Sequence, residues 1–239
     1  MKKMASNIGE IIPVYKPRGV TSFEVVRKVR GQLKVKKIGH AGTLDPLAEG
    51  LLIILTGTKT KAMNDILKLD KEYLAAFKLG VTSKSYDLET DVVELSSHTD
   101  FSEDQVLDVL KRYIGKIEQV PPEYSAAWVD GKRAYKLARR GVKFELKPKT
   151  VFISELSLEG FEWPILKVRV VCSSGTYIRS LARDIGKDLG CGAVLTELVR
   201  TRIGTYNAGD AIRLDEQDLT GLSNRSARTA GSSQERYAA

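Results

Sequence analysis

The chain has 239 residues, 42% hydrophobic and 28% charged, and a formal net charge of +8 from 38 Lys and Arg against 30 Asp and Glu. That is the composition of a globular protein long enough to bury a sizeable core, with no apolar run near the roughly 20 residues that span a bilayer. The opening MKKMASNIGE has lysines but no apolar segment behind them, so no secretory signal is read and a cytoplasmic protein off the membrane is expected.

Thr21-x-x-Glu24 has the pattern of a capping box and opens a predicted helix with Val26, Val29 and Leu33 on one side. Its basic residues are left to solvent. Gly39 and Gly42 interrupt the pattern and begin the loop GHAGTLDPLAEG. LLIIL, residues 51–55, is a short continuous apolar run, the mark of a buried strand. Tyr73, Ala75, Phe77 and Leu79 alternate with their neighbours up to Gly80, as a second strand would. Ser102 and Gln105 suit another capping box, Val106, Val109, Leu110, Tyr113 and Ile114 form an apolar stripe, and Gly115 fits the position after the helix end.

Residues 119–141 enter extended through Pro121 and Pro122, turn at Gly131 and finish as a basic helix. PILKVRVVC reads as a strand, followed at once by a helix in which Ile178, Leu181, Ala182, Ile185 and Leu189 recur before Gly190. Helices and strands are interspersed without a regular βαβ beat, which favours a mixed domain over a Rossmann fold or a barrel. Ser223 to Ala239 is poor in large apolar residues and is expected to be a disordered tail.

The charge is clustered. Arg27 to Lys37 holds six basic residues and no acid, and Lys132 to Lys149 holds eight against the single Glu145, with Tyr135 among them. One such run is ordinarily a solvated face, whereas two together suggest a surface that tracks phosphates. Asp45 is the only acid between Glu24 and Glu49. By itself it reads as a loop carboxylate capping a turn beside Pro46; beside a cationic surface it reads as an ionised nucleophile or base. No phosphate-binding lysine follows the glycines, so the loop is no P-loop, and no G-x-S-x-G elbow occurs. Cys172, Cys191, His40 and His98 lack metal-site spacing, so no metal is expected and the thiols read as reduced core residues. Arg179 falls in the first helical turn after Gly175, where the helix dipole favours anions, so a nearby carboxylate is expected to hold it.

Six blocks in order, KPRGVTS, KIGHAGTLDPLAEGLL, KEYLAAFKLG, QVPPEYSA, SSGTYIRSLARDIG and LTELVRTRIG, resemble the bacterial-type tRNA pseudouridine synthase B family over Lys16 to Gly204. The resemblance implies an α+β fold, a mixed, largely antiparallel sheet core flanked by helices. It implies a catalytic domain over residues 1–215, and over 216–239 a short tail in place of the family's C-terminal RNA-binding domain. It places the catalytic aspartate at Asp45, the base-stacking tyrosine at Tyr73, its neighbour in the site at Tyr177, the aspartate's arginine at Arg179 and the pocket leucine at Leu198. His40 matches the histidine that fills the space of the flipped uridine, and Lys16 the lysine of the K-P-x-G motif. The implied activity is isomerisation of uridine 55 in the TΨC loop, with the T arm of tRNA as partner, no cofactor and no obligate protein partner. A tRNA chaperone without catalysis and the catalytic subunit of a guide-RNA particle are the alternatives. Thr90 and Trp128 depart from the Gly and Lys that the family usually carries there, which bears on RNA contact rather than on catalysis.

Overall fold

A computed structural model describes residues 9–95 and 101–214. The chain begins with β1 (Ile11–Lys16), α1 (Ser22–Leu33), β2 (Ile38–Ala41) and β3 (Glu49–Thr56). A 3-10 turn at Gly57–Ala62 leads to α2 (Met63–Lys68), β4 (Lys71–Leu79) and the small pair β5 (Val81–Ser83) and β6 (Val92–Glu94). Then come α3 (Glu103–Lys111), β7 (Gly115–Gln119), the hairpin of β8 (Trp128–Val129) and β9 (Lys132–Arg133), and α4 (Ala134–Ala138). β10 (Lys149–Glu162), β11 (Ile165–Cys172), α5 (Ile178–Asp188) and β12 (Ala193–Ile203) follow, with β13 (Tyr206–Asn207) and β14 (Ile212–Arg213) last. His98 and the tail expected over 216–239 lie outside the described residues.

The local signals act as the sequence leads one to expect. Thr21 and Glu24 form a reciprocal capping box on α1, and Ser102 and Gln105 one on α3, each cap worth about 0.5–2 kcal/mol. The expected end of α3 needs correction. The helix stops at Lys111, and Ile114 is 47% exposed in the turn that follows. Gly115 does not close the helix but starts β7 with φ of +100°, pairing with Ile153. The chain has to reverse onto the sheet edge within three residues, and this tertiary demand overrides the apolar identity of Ile114.

Among the described residues ten strands make one mixed sheet, with the main order β14-β1-β3-β12-β4-β11-β10-β7, β2 added on β3 and β13 on β12. Among the described residues only β1–β14 and β3–β12 pair in parallel; the other pairs of this sheet are antiparallel. β3 explains its own sequence: Leu52 and Ile54 face the α1 side, while Leu51, Ile53 and Leu55 pack with Ile66 of α2, so both faces are buried and no alternation survives. A larger core lies on one side of β4, β11 and β12, where Phe77, Leu166, Val168 and Val170 meet Leu181 and Ile185 of α5 and Val106 and Leu110 of α3. The two halves of the sheet join where β3 runs beside β12, with Gly50 opposite Arg200. Any Cβ on Gly50 would stand 2.4 Å from the Arg200 carbonyl oxygen, and its φ is +104°, so glycine is what lets the strands close at this seam.

Candidate active site

Next to that seam, pleat geometry builds one wall of a recess of about 260 Å³. Side chains two apart on a strand share a face, so β4 presents Lys71 and Tyr73, and the adjacent β12 presents Leu198 and Arg200. Tyr73 lies directly opposite Arg200, and the register shifts just beyond it, between Arg200 and Arg202. A bulge there re-aims the strand end, as bulges beside functional sites do. The loop Gly42–Asp45 after β2 forms a second wall, and the turn and first residues of α5, Ser173–Arg179, the third.

Asp45, Tyr73, Tyr177, Arg179 and Leu198 therefore all line one recess. Arg179 Nε stands 2.9 Å from Asp45 Oδ2. The expectation that a carboxylate holds Arg179 at the dipole-unfavourable helix start is met by this pair. Arg179 is only 4% exposed and also donates to the Ser85 carbonyl at 3.1 Å and the Tyr124 carbonyl at 2.9 Å. Asp87 Oδ2 is a second acid, 3.5 Å from Arg179 Nη1. Ser22 fixes the Asp45 loop from α1, its hydroxyl bonding the Leu44 carbonyl at 3.1 Å and accepting from the Leu44 N–H at 2.9 Å.

Lys16 and His40 stand outside this lining. Lys16 is fully buried and donates to the carbonyls of Pro17, Val20 and Pro46, the last at 3.4 Å and directly after Asp45. Burial lowers its ammonium to about 8, with Asp45 opposing the shift. His40 pairs with Ile54 across β2 and β3, and its Nδ1 is buried without a hydrogen-bond partner. Burial, and then the Arg200 charge, push its pKa down, so the ring is neutral at neutral pH.

Four cations are buried around two carboxylates. Lys16, Lys71, Arg179 and Arg200 are each at most 6% exposed, against Asp45 and Asp87. Lys71 is held by the carbonyls of Leu67 and Leu69, and burial lowers it too to about 8. Arg200 donates to the carbonyls of Leu51 and Gly42 at 2.7 and 2.9 Å. Although 42% of the Asp45 side chain is reachable by solvent, the dense surroundings raise its carboxyl above the ordinary range; Arg179 pulls it back, and Asp87 and Glu89 add to the rise. Burial also raises the Tyr73 phenol, so it stays protonated at neutral pH and offers a ring face and a donor rather than a base.

Asp87, Lys71, Arg200 and Gln119 went unread in the sequence. Gln119, 1% exposed, donates to the Tyr177 carbonyl at 3.1 Å and accepts from its N–H at 2.8 Å. For Lys71 and Arg200 the available signal was strand spacing: a Lys or Arg two residues from an aromatic or leucine on a strand shares its buried face.

Comparison with known proteins identifies the family. The family model described as TruB family pseudouridylate synthase (N terminal domain) matches residues 30–178, and that of the tRNA pseudouridylate synthase B C-terminal domain matches 179–226. A protein of Parabacteroides distasonis named tRNA pseudouridine synthase B is 52% identical over 216 residues, covering 88% of this chain and 92% of the relative. One of the same name from Phocaeicola vulgatus is 47% identical, covering 90% and 97%. Among solved structures, a Cbf5-Nop10-Gar1 complex superposes with a TM-score of 0.69 at 31% identity, and an H/ACA RNP bound to a substrate RNA containing 2'-deoxyuridine with 0.67 at 28%. These cover 91% and 92% of this chain, which spans 56% of each of those chains. On sequence and on fold, the chain belongs to the TruB family of pseudouridylate synthases.

Proposed function

We propose that this pseudouridylate synthase isomerises uridine 55 in the T arm of tRNA, in the cytoplasm and without a guide RNA, with Asp45 as its catalytic residue. The observation that carries this is the Asp45–Arg179 ion pair set in a recess with Tyr73 and Leu198 on its wall. A recess walled by the Gly42–Asp45 loop, two strands and the start of α5 suits a base taken out of its stack, so the uridine leaves its neighbours at a cost of a few kcal/mol. Contact with the Tyr73 ring offsets part of that cost, since one base on an aromatic face is worth about 1–3 kcal/mol.

The reaction breaks the C1′–N1 bond, turns the uracil and joins C1′ to C5; the C5 proton is lost and N1 gains one, so nothing is oxidised or reduced. The Asp45 carboxylate faces the nucleotide and assists bond cleavage. Arg179 fixes its orientation and favours its charged form, and the surplus of buried cations attracts the phosphates on either side. Tyr177 and Leu198 confine the loose uracil, while Lys16 and His40 act from behind, Lys16 by tying down the backbone at Pro46.

The test is incubation of the pure protein with one unmodified tRNA transcript, followed by mapping of pseudouridine. Product at position 55 alone is expected. Tight binding with no product would make the protein a tRNA chaperone, and product only on addition of a guide RNA would make it a particle subunit.

A further inference from the structure

The hairpin β8–β9 carries Trp128, which is 62% exposed. A single exposed apolar residue needs no special account, but this one is held in place. The Arg133 guanidinium carbon lies 4.0 Å from the indole centroid, and Arg133 Nη1 donates to the Ala126 carbonyl, so one face of the ring rests on a tethered cation. Asp130 and Gly131, with φ of 46° and 76°, make the tight two-residue turn that matches strand twist. The hairpin base is closed by Ala134 N–H on the Ala127 carbonyl at 2.8 Å and Tyr135 N–H on the Ser125 carbonyl at 3.0 Å. Ser125 and Ala126 themselves line the recess with Asp45 and Arg179.

A largely exposed indole braced by Arg133 thus stands two residues beyond Ala126 of the recess lining, on a segment whose other side chains include Lys132, Lys136, Arg139 and Arg140. That environment suits a polyanion with flat apolar groups, which is single-stranded nucleic acid. We propose that Trp128 is a stacking platform for one unpaired base of the substrate RNA, beside the uridine taken into the recess. The proposal rests on the RNA-isomerase reading of the site. Because Arg133 holds the ring in advance, little side-chain freedom is lost on binding.

The chain has two tryptophans, and Trp163 packs on Phe101, so Trp163→Phe leaves Trp128 as the sole indole reporter. Binding of an end-labelled T-arm stem-loop is measured first, and indole emission is followed in the same titration. Emission is expected to be quenched at saturation, and an abasic site at one loop position is expected to abolish the quench. Trp128→Ala should raise Kd by about 5- to 150-fold, the range for one stacked base, with kcat at saturating RNA unchanged. Trp128→Phe should recover most of the affinity. Trp128→Lys should not, and it should steepen the salt dependence by about 0.7 in log–log slope, one phosphate contact on a single strand.

Unchanged emission on saturating RNA, or Kd of Trp128→Ala within twofold of the parent, overturns the platform. If Trp163→Phe fails to fold, the difference in quench between the parent and Trp128→Ala gives the same answer. Failure of the platform with pseudouridine still formed leaves the isomerase reading intact. A quench without pseudouridine in the parent protein removes that reading and leaves the stacking surface.

Discussion

The Gln119 side-chain amide makes two opposed hydrogen bonds to the Tyr177 backbone, and so fixes the start of α5 from the end of β7. Tyr177 is the N-cap of that helix and offers no side-chain cap of its own. Ser180 adds a bond to the Val120 carbonyl at 2.8 Å, and Arg179 sits between these anchors. Removing Gln119 leaves the part-buried Tyr177 N–H without its partner, a loss of about 1–3 kcal/mol at most, while the Tyr177 carbonyl keeps the Leu181 N–H at 3.0 Å. For Gln119→Ala the expected outcome is lower stability and a fall in kcat larger than the rise in KM, since Arg179 is misplaced while the RNA-binding surface is kept. Gln119→Glu, which can accept but not donate, should lie between the two. A folded Gln119→Ala enzyme with parental kcat would reduce Gln119 to packing.

Asp45→Asn nearly preserves shape and removes the charge. Arg179 keeps Asp87 and two carbonyls as partners, so the fold should survive with a modest loss in Tm. tRNA affinity is expected to change by no more than a few fold, and turnover to drop by at least about 100- to 10,000-fold. Single-turnover pseudouridine release alongside a binding titration measures both. Turnover near the parental rate in verified protein would remove Asp45 from the catalytic role.

The pH profile should carry the sign of the charges around Asp45. Its carboxyl lies above the ordinary 3.8, raised by burial and by Asp87 and Glu89 and lowered by Arg179. Ionised Asp45 is the active form, so kcat/KM should fall as pH drops through that raised value. Arg179→Met removes the lowering charge and should move the acid limb to higher pH. It also leaves Asp87 buried and unpaired, at a cost of about 3–5 kcal/mol. Asp87→Asn removes a raising charge and should move the limb to lower pH. For stability the sign is opposite to that of a salt-bridged acid: between 3.8 and the raised value the folded state binds more protons than the unfolded, so the Asp45 contribution declines as pH rises through that window. Limbs that move together in the two variants would contradict this electrostatic account.

Local signals were the ones that could be read from sequence. The boxes at Thr21 and Ser102 involve residues three apart, and the Tyr73–Leu79 alternation reflects one buried face, so neither depends on distant chain. The end of α3 was misjudged because what stops it is the reversal into β7, not a residue of the helix. Asp45 stood out by its isolation among cations and by resemblance to a family. Arg179 could be suspected of a carboxylate partner from its place at a helix start. Asp87 had no such mark, since the turn after β5 brings it to Arg179 only through the tertiary fold. Lys71 and Arg200 share the strand faces of Tyr73 and Leu198, but a charged side chain is ordinarily expected in solvent; here backbone carbonyls solvate them instead.

Tyr73 separates ring contact from proton transfer. Its phenol is buried beside Arg200, and its pKa is pushed up by that burial, so it holds its proton across the working pH range. Tyr73→Phe keeps the ring and loses one donor to the recess, and should bind RNA like the parent, with kcat down by about tenfold or less, the value of one hydrogen bond. Tyr73→Leu keeps apolar volume but has no ring face, and should lose a further 1–3 kcal/mol or so from the flipped-base complex. The loss should appear for stem-loops that present a uridine to the recess and be absent for an abasic stem-loop, which leaves the recess empty. A Tyr73→Leu protein that discriminates the two RNAs as well as the parent does would show that the base rests on another surface of the recess, with Leu198 and Tyr177 the next candidates from its lining.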